Sequence, residues 1–481
     1  MERCHLLIRS AKVIDGTGAP ATKGDIAVEG ARIAAIGDLS DWRADETIDA
    51  TGLAIAPGFI DDHTHDDSAV LAERDMTKKV SQGVTSVVAG NCGISLAPLS
   101  PKGPLPPPFP LLDREGVDYF PTIEGYAQAL ERTPPALNIG LLTGHGNLRV
   151  AAMGEDLERA ANGAEIDDMG QRLAAALDQG SLGLSTGLGY PNCWDATTDE
   201  LIGIAKHMKG KVGALFCSHM RDESDQVLAA VEETLEIGRR AETAVVISHH
   251  KCSGTSNWGR STETLAAIEA AAQSQAVALD VYPYTASSTV LMAEYMVEAD
   301  DVMVTYSDPH PEAAGRHLAE IAAEWGCSEH EAVDRLHPAG AIYWSMDEAD
   351  IERIIAYSRT MIGSDGLPGA PHPHPRLWGT FPRVLARYVR ERGVLSLEEA
   401  VHRMTGLTAQ TFGLKDRGTL APGHFADIVI FDPASVRDRA TFEQPKQTAE
   451  GIVLVLVNGT PVWRDGAHSG ATPGAFLARA S

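Results

Sequence analysis

Eight short runs of apolar, mostly β-branched residues recur through the middle of this 481-residue chain, separated by stretches with helical patterning. Strands that alternate with helices form parallel sheets, and eight such units are enough to close a (β/α)8 barrel. We therefore predict an α/β fold built on a TIM-like barrel. The runs are GFIDDHTH, VTSVVAGNC, NIGLLTGH, SLGLSTG, GALFCSH, AVVISHHK, VALDVYP and TMIGSDG.

The two ends of the chain have a different pattern, in which apolar and polar residues alternate between turn signals. This alternation is typical of short β-strands, and Asn458-Gly459 predicts a two-residue hairpin turn. Neither end is long enough to form a convincing core alone. We predict one small β-sandwich domain made of residues 1–55 plus 415–481, joined to a barrel domain of residues 56–414.

Residues 285–345, between the seventh and eighth predicted strands, are too many for a simple crossover. They include a helical pattern of their own, EAAGRHLAEIAAEWG. We predict that this segment is an inserted subdomain or lid within the barrel domain. The proline-rich residues 101–110 predict an extended surface loop after the second strand.

Composition excludes some classes of partner. The chain has 40 basic and 66 acidic residues, a net charge of -26, which argues against nucleic acid and anionic membranes as partners. No apolar run reaches transmembrane length, and the start, MERCHLLIRSAKVIDG, lacks an apolar signal-peptide core. Six cysteines are too few for a disulfide framework. We expect a cytoplasmic protein; the oligomeric state does not follow from the sequence.

Six of the eight predicted strands end in His, Cys or Asp, and the working face of such barrels lies at the C-terminal ends of the strands. His63 and His65 are two residues apart in an extended chain, so their side chains point to the same side. Thiolate and imidazole ligands together favour zinc over magnesium or calcium. The residues at these strand ends are His63, His65, Cys92, His145, Tyr190, His219, His249, His250, Lys251, Tyr282 and Asp365.

Each of these residues also has a simpler explanation. A lone histidine at a strand end can be a buried polar residue of the barrel rim. Asp365 precedes a glycine in GSDG, where aspartate often forms a turn; alternatively, it is the carboxylate that takes a proton from an activated water. The residues alone do not choose between His249 and His250 as a metal ligand.

Six motifs spread over nearly the whole chain decide between these explanations. They closely resemble the motifs of the D-aminoacylases, the N-acyl-D-amino-acid deacylases of the amidohydrolase superfamily. Many amidohydrolases carry a carbamylated lysine that bridges two metals, but no lysine follows the fourth strand here, and Cys92 is present instead, as in the D-aminoacylases. The motifs are HTHDD, GNCGIS, SHMRDE, ISHHK, MIGSDGLP and HPRLWGTFPRVL.

The resemblance implies a set of site residues. It implies a tightly bound Zn2+ and a second, weaker position beside it, and it favours His249 over His250. The tight ligands would be Cys92, His219 and His249, and the weaker position would be surrounded by His63, His65 and Asp365. The α-carboxylate of the substrate would be held by Lys251, Tyr282 and Arg376, and Tyr190 would donate a hydrogen bond to the scissile carbonyl.

The implied activity is hydrolysis of N-acyl-D-amino acids, small-molecule substrates, to a carboxylate and a free D-amino acid. Asp365 would act as general base and then as general acid. The preference for D over L rests entirely on the resemblance. The segment TASSTVLMAEYMVEADD after the seventh strand has no Arg or Lys, which favours substrates with neutral or hydrophobic side chains.

Two alternatives remain. The first is a cyclic amidase of the same architecture, such as a hydantoinase or dihydroorotase, against which the missing strand-four lysine and Cys92 both count. The second is an inactive zinc-binding scaffold protein, since a fold does not guarantee activity. An inactive member would be expected to have lost a ligand or the acid-base residue, and this chain retains all of them.

Overall fold

All eight predicted runs contain β-strands, and these strands form the predicted parallel barrel. The computed structural model describes residues 2–297 and 299–479; Met1, Glu298, Ala480 and Ser481, which fall in the predicted terminal domain and insertion, lie outside the described residues. The barrel strands are Phe59–Asp61, Val84–Ala89, Asn138–Leu141 with Thr143–Gly144, Gly183–Gly187, Leu215–His219, Ala244–Ile247, Val277–Val281 and Thr360–Ile362.

Two irregular features complete the ring of barrel strands, an interruption in the third strand and a bridge beyond the eighth. The third strand is interrupted at Leu142, so that its first part pairs with the second strand and its last two residues pair with the fourth. The eighth strand pairs with the seventh. Beyond its end, Thr64 and Gly366 form a parallel bridge between the chain that follows the first strand and the chain that follows the eighth. This bridge lies where the predicted site residues begin.

The inside of the barrel is a packed core. One apolar side chain from almost every strand points inward, and the tail residue Leu477 joins the same cluster. The Leu477 N–H donates to the Ile139 carbonyl at 2.7 Å, which fixes the tail against the third strand. The members of this cluster that lie in or directly beside the strands are Ile60, Val88, Leu142, Leu182, Leu215, Cys217, Val246, Ala278 and Met361. Chemistry is therefore confined to the polar strand ends.

Helices connect the barrel strands and cover them. Asn162 begins the longest one with a capping box, in which its side chain accepts the Glu165 N–H and the Glu165 side chain accepts the Asn162 N–H. No helix in the described part of the chain is long and apolar enough to cross a membrane. The helices are Ala69–Ala72, Thr77–Val80, Ile123–Arg132, His145–Met153, Gly163–Asp178, Thr198–Ala205, Val227–Ala241, Ser261–Ala272, Glu348–Ala356, Arg376–Arg383 with the π-helix Val384–Glu391, Leu397–Met404 and Gly406–Thr411.

Strands from both ends of the chain form one nine-stranded sheet. Ala54–Pro57 pairs antiparallel with Ile428–Phe431 and so joins the two ends. The Ile33 N–H donates to the His424 carbonyl at 2.9 Å, which brings the N-terminal edge back to the C-terminal part, so the sheet folds over a shared core. The remaining strands are Arg3–Val13, Thr22–Glu29, Arg32–Gly37, Arg43–Asp49, Ile452–Val457, Thr460–Arg464 and Ala467–His468. The domain limits 1–55 plus 415–481 and 56–414 stay a prediction.

The segment between the seventh and eighth barrel strands contains a sheet that the sequence did not predict. Three antiparallel strands form it, with Ala339–Trp344 between Ala286–Val290 and Asp301–Ser307. The helical pattern of residues 312–326 forms an α-helix only over Leu318–Trp325, because Gly315 has a φ of +82°, which a right-handed helix does not accommodate. Two further helices are Ala293–Met296 and Glu329–Leu336.

Phe59 offers a test of the contact between the barrel and the terminal sheet. Its buried ring stacks on Phe381 at 5.7 Å and meets Phe431 of the sheet at 6.3 Å. Phe59→Ala should lower the free energy of unfolding by about 3–5 kcal/mol, seen as a lower denaturant midpoint by circular dichroism. Val212→Ala, at a side chain that is 72% exposed, is the control and should change it by less than about 0.5 kcal/mol. Equal midpoints for the two variants would contradict this account.

Candidate metal centre

Two groups of potential metal ligands lie at the C-terminal end of the barrel and share Cys92. Within each group the ligand atoms lie within 4.8 Å of one another. The first group is Cys92, His219 and His249, and the second is His63, His65, Cys92 and Asp365. These are the sets that the resemblance implied, except that the structure also gives Cys92 to the second one. A thiolate that faces both groups can serve two metal positions.

The distances within the groups are short. His249 Nε2 lies 2.9 Å from His219 Nδ1 and 3.4 Å from Cys92 Sγ. On the other side, His63 Nε2 lies 3.2 Å from Cys92 Sγ. His65 Nε2 is 3.4 Å from Asp365 Oδ1. Four imidazoles, a thiol and a carboxylate thus converge at one point, and this soft and borderline donor set suits zinc chemistry.

The backbone at three of these residues is in the left-handed region. Cys92, His249 and Asp365 have φ values of +53°, +36° and +48°, a conformation that costs a non-glycine residue roughly 1–3 kcal/mol. Cys92 is held there by close packing, since a Cβ on Gly90 or Gly93 would lie 2.3 or 2.6 Å from backbone atoms of neighbouring strands. The glycines of GNCGIS therefore allow the chain to turn and present the thiol.

Two carboxylates orient the histidines. Asp280 Oδ1 lies 3.1 Å from His63 Nδ1 and also accepts the His249 backbone N–H at 2.8 Å. Glu223 Oε1 lies 2.9 Å from His249 Nδ1. A carboxylate on the Nδ1 side directs Nε2 to the centre, as around many metal sites. Neither carboxylate was predicted as a functional residue from the sequence, although an aspartate within the apolar strand VALDV, Asp280, was a usable signal.

The side chains of the centre and their neighbours also shift one another's pKa values. Burial raises the pKa of the Cys92 thiol, but the neighbouring His63 and His249 outweigh it and hold that pKa well below its ordinary value. Burial likewise raises the pKa of Asp365, and Arg376 and His65 outweigh it to hold the pKa well below its usual range. Both side chains are therefore in the anionic form that binds cations.

His250 and His145 lie outside the two groups. His250 Nε2 contacts Thr264 Oγ1 at 2.8 Å, on the helical side of the strand, and burial lowers the pKa of His250 to about 4. His145 Nε2 lies 3.0 Å from Glu200 Oε1 in a separate buried network. The structure thus places His249, and not His250, in a group of potential ligands, and it gives His145 structural partners.

The residues implied to bind substrate adjoin the centre. Lys251 Nζ pairs with Glu223 Oε2 at 2.6 Å. Arg376 Nη2 lies 3.0 Å from Asp365 Oδ2, and its guanidinium carbon lies 4.5 Å above the centre of the Tyr282 ring. Within the described residues, Nε and Nη1 of the fully buried Arg376 have no hydrogen-bond partner. Two unpaired donors beside the centre are suited to an incoming carboxylate.

A cavity of about 250 Å³ opens beside the metal centre. Tyr190, Lys251 and Tyr282 line it together with His219, His249 and Asp365, and Arg376 contacts the cavity residues Asp365 and Tyr282. The Tyr190 hydroxyl is 2.8 Å from Thr289 Oγ1 of the inserted segment. Part of the wall comes from that segment, through Ser287, Ser288, Thr289, Glu294, Tyr295, Tyr343 and Ser345. The cavity is of a size for a small molecule.

A barrel with histidines, a cysteine and an aspartate gathered at its strand ends has the form of a metal-dependent hydrolase. The chain belongs to the amidohydrolase family, whose sequence profile matches residues 46–356 and 354–463. The membership expected from the motifs is therefore confirmed.

Three relatives from Alcaligenes xylosoxydans xylosoxydans are similar over almost the full length. The D-aminoacylase is 52% identical, with 98% of this chain and 97% of the relative covered. The N-acyl-D-aspartate deacylase is 50% identical, covering 99% and 95%, and the N-acyl-D-glutamate deacylase is 49% identical, covering 99% and 97%. The three identities are too close to distinguish one substrate from another.

Two solved structures superpose on the whole chain. A D-aminoacylase, studied for the role of its binuclear metal centre with one-metal activation and second-metal attenuation, is 50% identical with a TM-score of 0.96, covering 99% of this chain and 100% of that one. The N-acyl-D-glutamate deacylase of Bordetella bronchiseptica, complexed with zinc and a phosphonate mimic of the tetrahedral intermediate, is 47% identical with a TM-score of 0.96 and full coverage of both chains.

The adjacent histidines allow a matched test of the ligand geometry. His249→Ala should remove the bound metal, because His249 Nε2 faces both Cys92 and His219. His250→Ala should keep the metal and lower only the melting temperature, because its contact is to Thr264. Metal content after dialysis, measured by atomic emission, decides between them. Equal retention of metal in both variants would contradict this geometry.

Proposed function

We propose that this protein hydrolyses the amide bond of N-acyl-D-amino acids to a carboxylate and a free D-amino acid, with zinc as its cofactor. The observation that carries the proposal is the pair of ligand groups joined at Cys92 beside a small cavity. It occurs in a chain that is 52% identical to a D-aminoacylase over nearly its full length. The three similar relatives are a D-aminoacylase, an N-acyl-D-aspartate deacylase and an N-acyl-D-glutamate deacylase.

Cys92, His219 and His249 are the proposed ligands of a tightly bound zinc ion. Their donor atoms fit the ion, because thiolate and imidazole are its common ligands. The second, weaker position would use His63, His65 and Asp365 together with the shared Cys92. Its weakness has a physical reason, since Arg376 already neutralises the Asp365 carboxylate at 3.0 Å. When bound, zinc supplies a Lewis acid that polarises a carbonyl and acidifies a water molecule.

Asp365 is the proposed general base. Its anionic carboxylate lies at the edge of the cavity, with Oδ1 near His65 and Oδ2 on Arg376. It would accept a proton from the attacking water and donate that proton to the leaving amine, so that one group serves both steps. A carboxylate held by two cationic neighbours keeps a fixed direction, which favours proton transfer in a single geometry.

Lys251, Tyr282 and Arg376 are the proposed clamp for the α-carboxylate of the substrate. Lys251 and Tyr282 line the cavity. The free Nε and Nη1 donors of Arg376 are the strongest support, since a buried unpaired donor is costly until a ligand satisfies it. Tyr190 is the proposed donor to the scissile carbonyl oxygen as negative charge develops on it.

The substrate side chain is proposed to be neutral or hydrophobic. Among its described residues, the inserted segment contributes no lysine or arginine to the cavity wall. It contributes the carboxylate of Glu294, which would repel an acidic side chain. Sequence identity to the aspartate and glutamate deacylases does not argue against this, because all three relatives match almost equally well.

The two alternatives predict different behaviour. A cyclic amidase would hydrolyse hydantoins, but no lysine lies at the end of the fourth strand, Gly183–Gly187, and Cys92 is present. A zinc-binding scaffold would have no turnover, yet every residue of both ligand groups is retained.

We also propose that the protein is located in the cytoplasm. All six cysteines are free, which supports a reducing compartment.

A chiral substrate panel tests the function. N-acetyl derivatives of D- and L-methionine, D-leucine, D-aspartate and D-glutamate, with hydantoin, should be assayed on apoenzyme titrated with zinc. We expect turnover of the D-methionine and D-leucine substrates, with kcat/KM for N-acetyl-D-glutamate lower by about 100-fold, because the part of the wall formed by the inserted segment supplies the carboxylate of Glu294 and no cation. Faster hydrolysis of hydantoin, or of the D-glutamate substrate, would overturn the corresponding part of the proposal.

Two substitutions separate proton transfer from metal binding. Asp365→Ala should lower kcat by at least about 1,000-fold while the protein keeps one equivalent of zinc, because the general base is lost but Cys92, His219 and His249 remain. Cys92→Ala should lose zinc and activity together. Zinc content and single-turnover rates are the measurements. Substantial activity in Asp365→Ala, or stoichiometric zinc in Cys92→Ala, would contradict the assigned roles.

A further inference from the structure

Lys79 is a buried cation that no part of the proposed reaction uses. It lies in the short helix Thr77–Val80, and its side chain is completely inaccessible. Lysine is almost never fully buried unless its charge is paired. Here the ammonium group lies among four oxygen atoms, those of Asp61 at 2.6 Å, Ser364 at 2.8 Å, Thr64 at 3.0 Å and Asp66 at 3.2 Å.

These four partners belong to the two segments that carry one half of the metal centre. Asp61, Thr64 and Asp66 surround the two histidines of HTHDD, and Ser364 directly precedes Asp365. The Ser364 N–H donates to Asp61 Oδ1 at 2.8 Å, which adds a direct link between the segments. None of the four partners belongs to the segments that carry Cys92, His219 or His249.

Backbone hydrogen bonds also join the same two segments at the site itself. The Asp365 N–H donates to the His63 carbonyl at 2.7 Å, and the His65 N–H donates to the Gly366 carbonyl at 3.0 Å. A Cβ at Gly366 would lie 3.0 Å from Lys79 Nζ, so the ammonium group packs directly below this pairing. Asp365 is in the left-handed region, a conformation that persists only where the surroundings fix it.

We propose that Lys79 is a positioning residue, which through Ser364 holds Asp365 and the His63–His65 pair in the geometry needed for proton transfer and for the second metal position. It acts on this half of the centre and not on the half formed by Cys92, His219 and His249. The inference rests on the proposed function for its kinetic consequences and on geometry alone for its consequences for metal binding.

Ser364→Ala is the gentlest test, because it cuts the link from Lys79 to the eighth strand, together with the acceptor of the Gly366 N–H, without leaving a buried charge unpaired. We expect kcat to fall by about 10-fold, with KM within about two-fold, since displacement of a reacting group costs rate rather than binding. One equivalent of tightly bound zinc should remain, and the second equivalent should bind about 10-fold more weakly, as when other outer contacts of metal ligands are lost. Ser81→Ala removes a buried hydroxyl with no hydrogen-bond partner in the described residues and should leave all three values unchanged.

Lys79→Met and Lys79→Arg extend the test. The methionine variant should lower kcat by about 100-fold, and arginine should restore part of it. Lys78→Met is the control, because the neighbouring Lys78 pairs with Glu73 and not with the site. If Lys79→Met does not fold, the Ser364→Ala comparison decides alone.

Two results would overturn the inference. One is unchanged kcat and unchanged second-metal affinity in Ser364→Ala; the other is a parallel loss of both zinc equivalents, which would mean that the network supports the barrel as a whole. An inactive wild-type protein would instead refute the proposed function, and the affinity for the second zinc would still test the role of Lys79.

Discussion

The hydrogen bond from the Asp365 N–H to the His63 carbonyl, at 2.7 Å, is the contact on which the site depends. It lies beside the Thr64–Gly366 bridge, which joins the chain beyond the first strand to the chain beyond the eighth. This hydrogen bond joins residues that are about 300 positions apart in the sequence. Loosening of the barrel would therefore separate Asp365 from the histidines. Closure of the fold and assembly of the centre are therefore one structural event.

Closure of the barrel buries charged side chains, and neighbouring groups of opposite charge compensate them. Asp280 balances His63, Glu223 balances His249 and Lys251, and Arg376 balances Asp365. A buried charge without a partner costs several kcal/mol, so each group is retained only with its neighbour. The same partners fix the direction of each ring and carboxylate, and they hold His249 and Asp365 in their left-handed conformations, whereas close packing holds Cys92.

Much of this could be predicted from the sequence, because the signals are local. Each barrel strand is a short apolar run, and a polar residue at its end must face the same edge of the sheet as its neighbours. The choice of His249 over His250 could not be predicted from the residues, since it depends on one φ angle that turns the first ring inward. Glu223 and Asp280 were missed because their roles come from contacts with distant strands.

The strands and the helix limits of the inserted segment could not be predicted from the sequence, for a different reason. Its strands pair with one another across 50 residues, and the short run AGAIYW carries no alternation that separates it from a helix. Its helical prediction was too long because Gly315, at a φ of +82°, interrupts the chain before Leu318. Local patterns thus locate the barrel, whereas the cavity wall that would select a substrate is built from long-range pairing.

The shared thiolate makes the centre asymmetric. In the described residues, the Lys251 ammonium group contacts His249 at Nδ1, 2.8 Å away, and not at the Nε2 atom that faces Cys92 and His219, whereas Asp365 is bound to the guanidinium of Arg376 at 3.0 Å. A metal ion at the second position must compete with that guanidinium, so the position is intrinsically the weaker of the two. In the proposed reaction, the Asp365 carboxylate would accept a proton while the first position is filled. The Arg376–Asp365 ion pair would thus bear both on the proposed difference in metal affinity and on the proposed proton transfer.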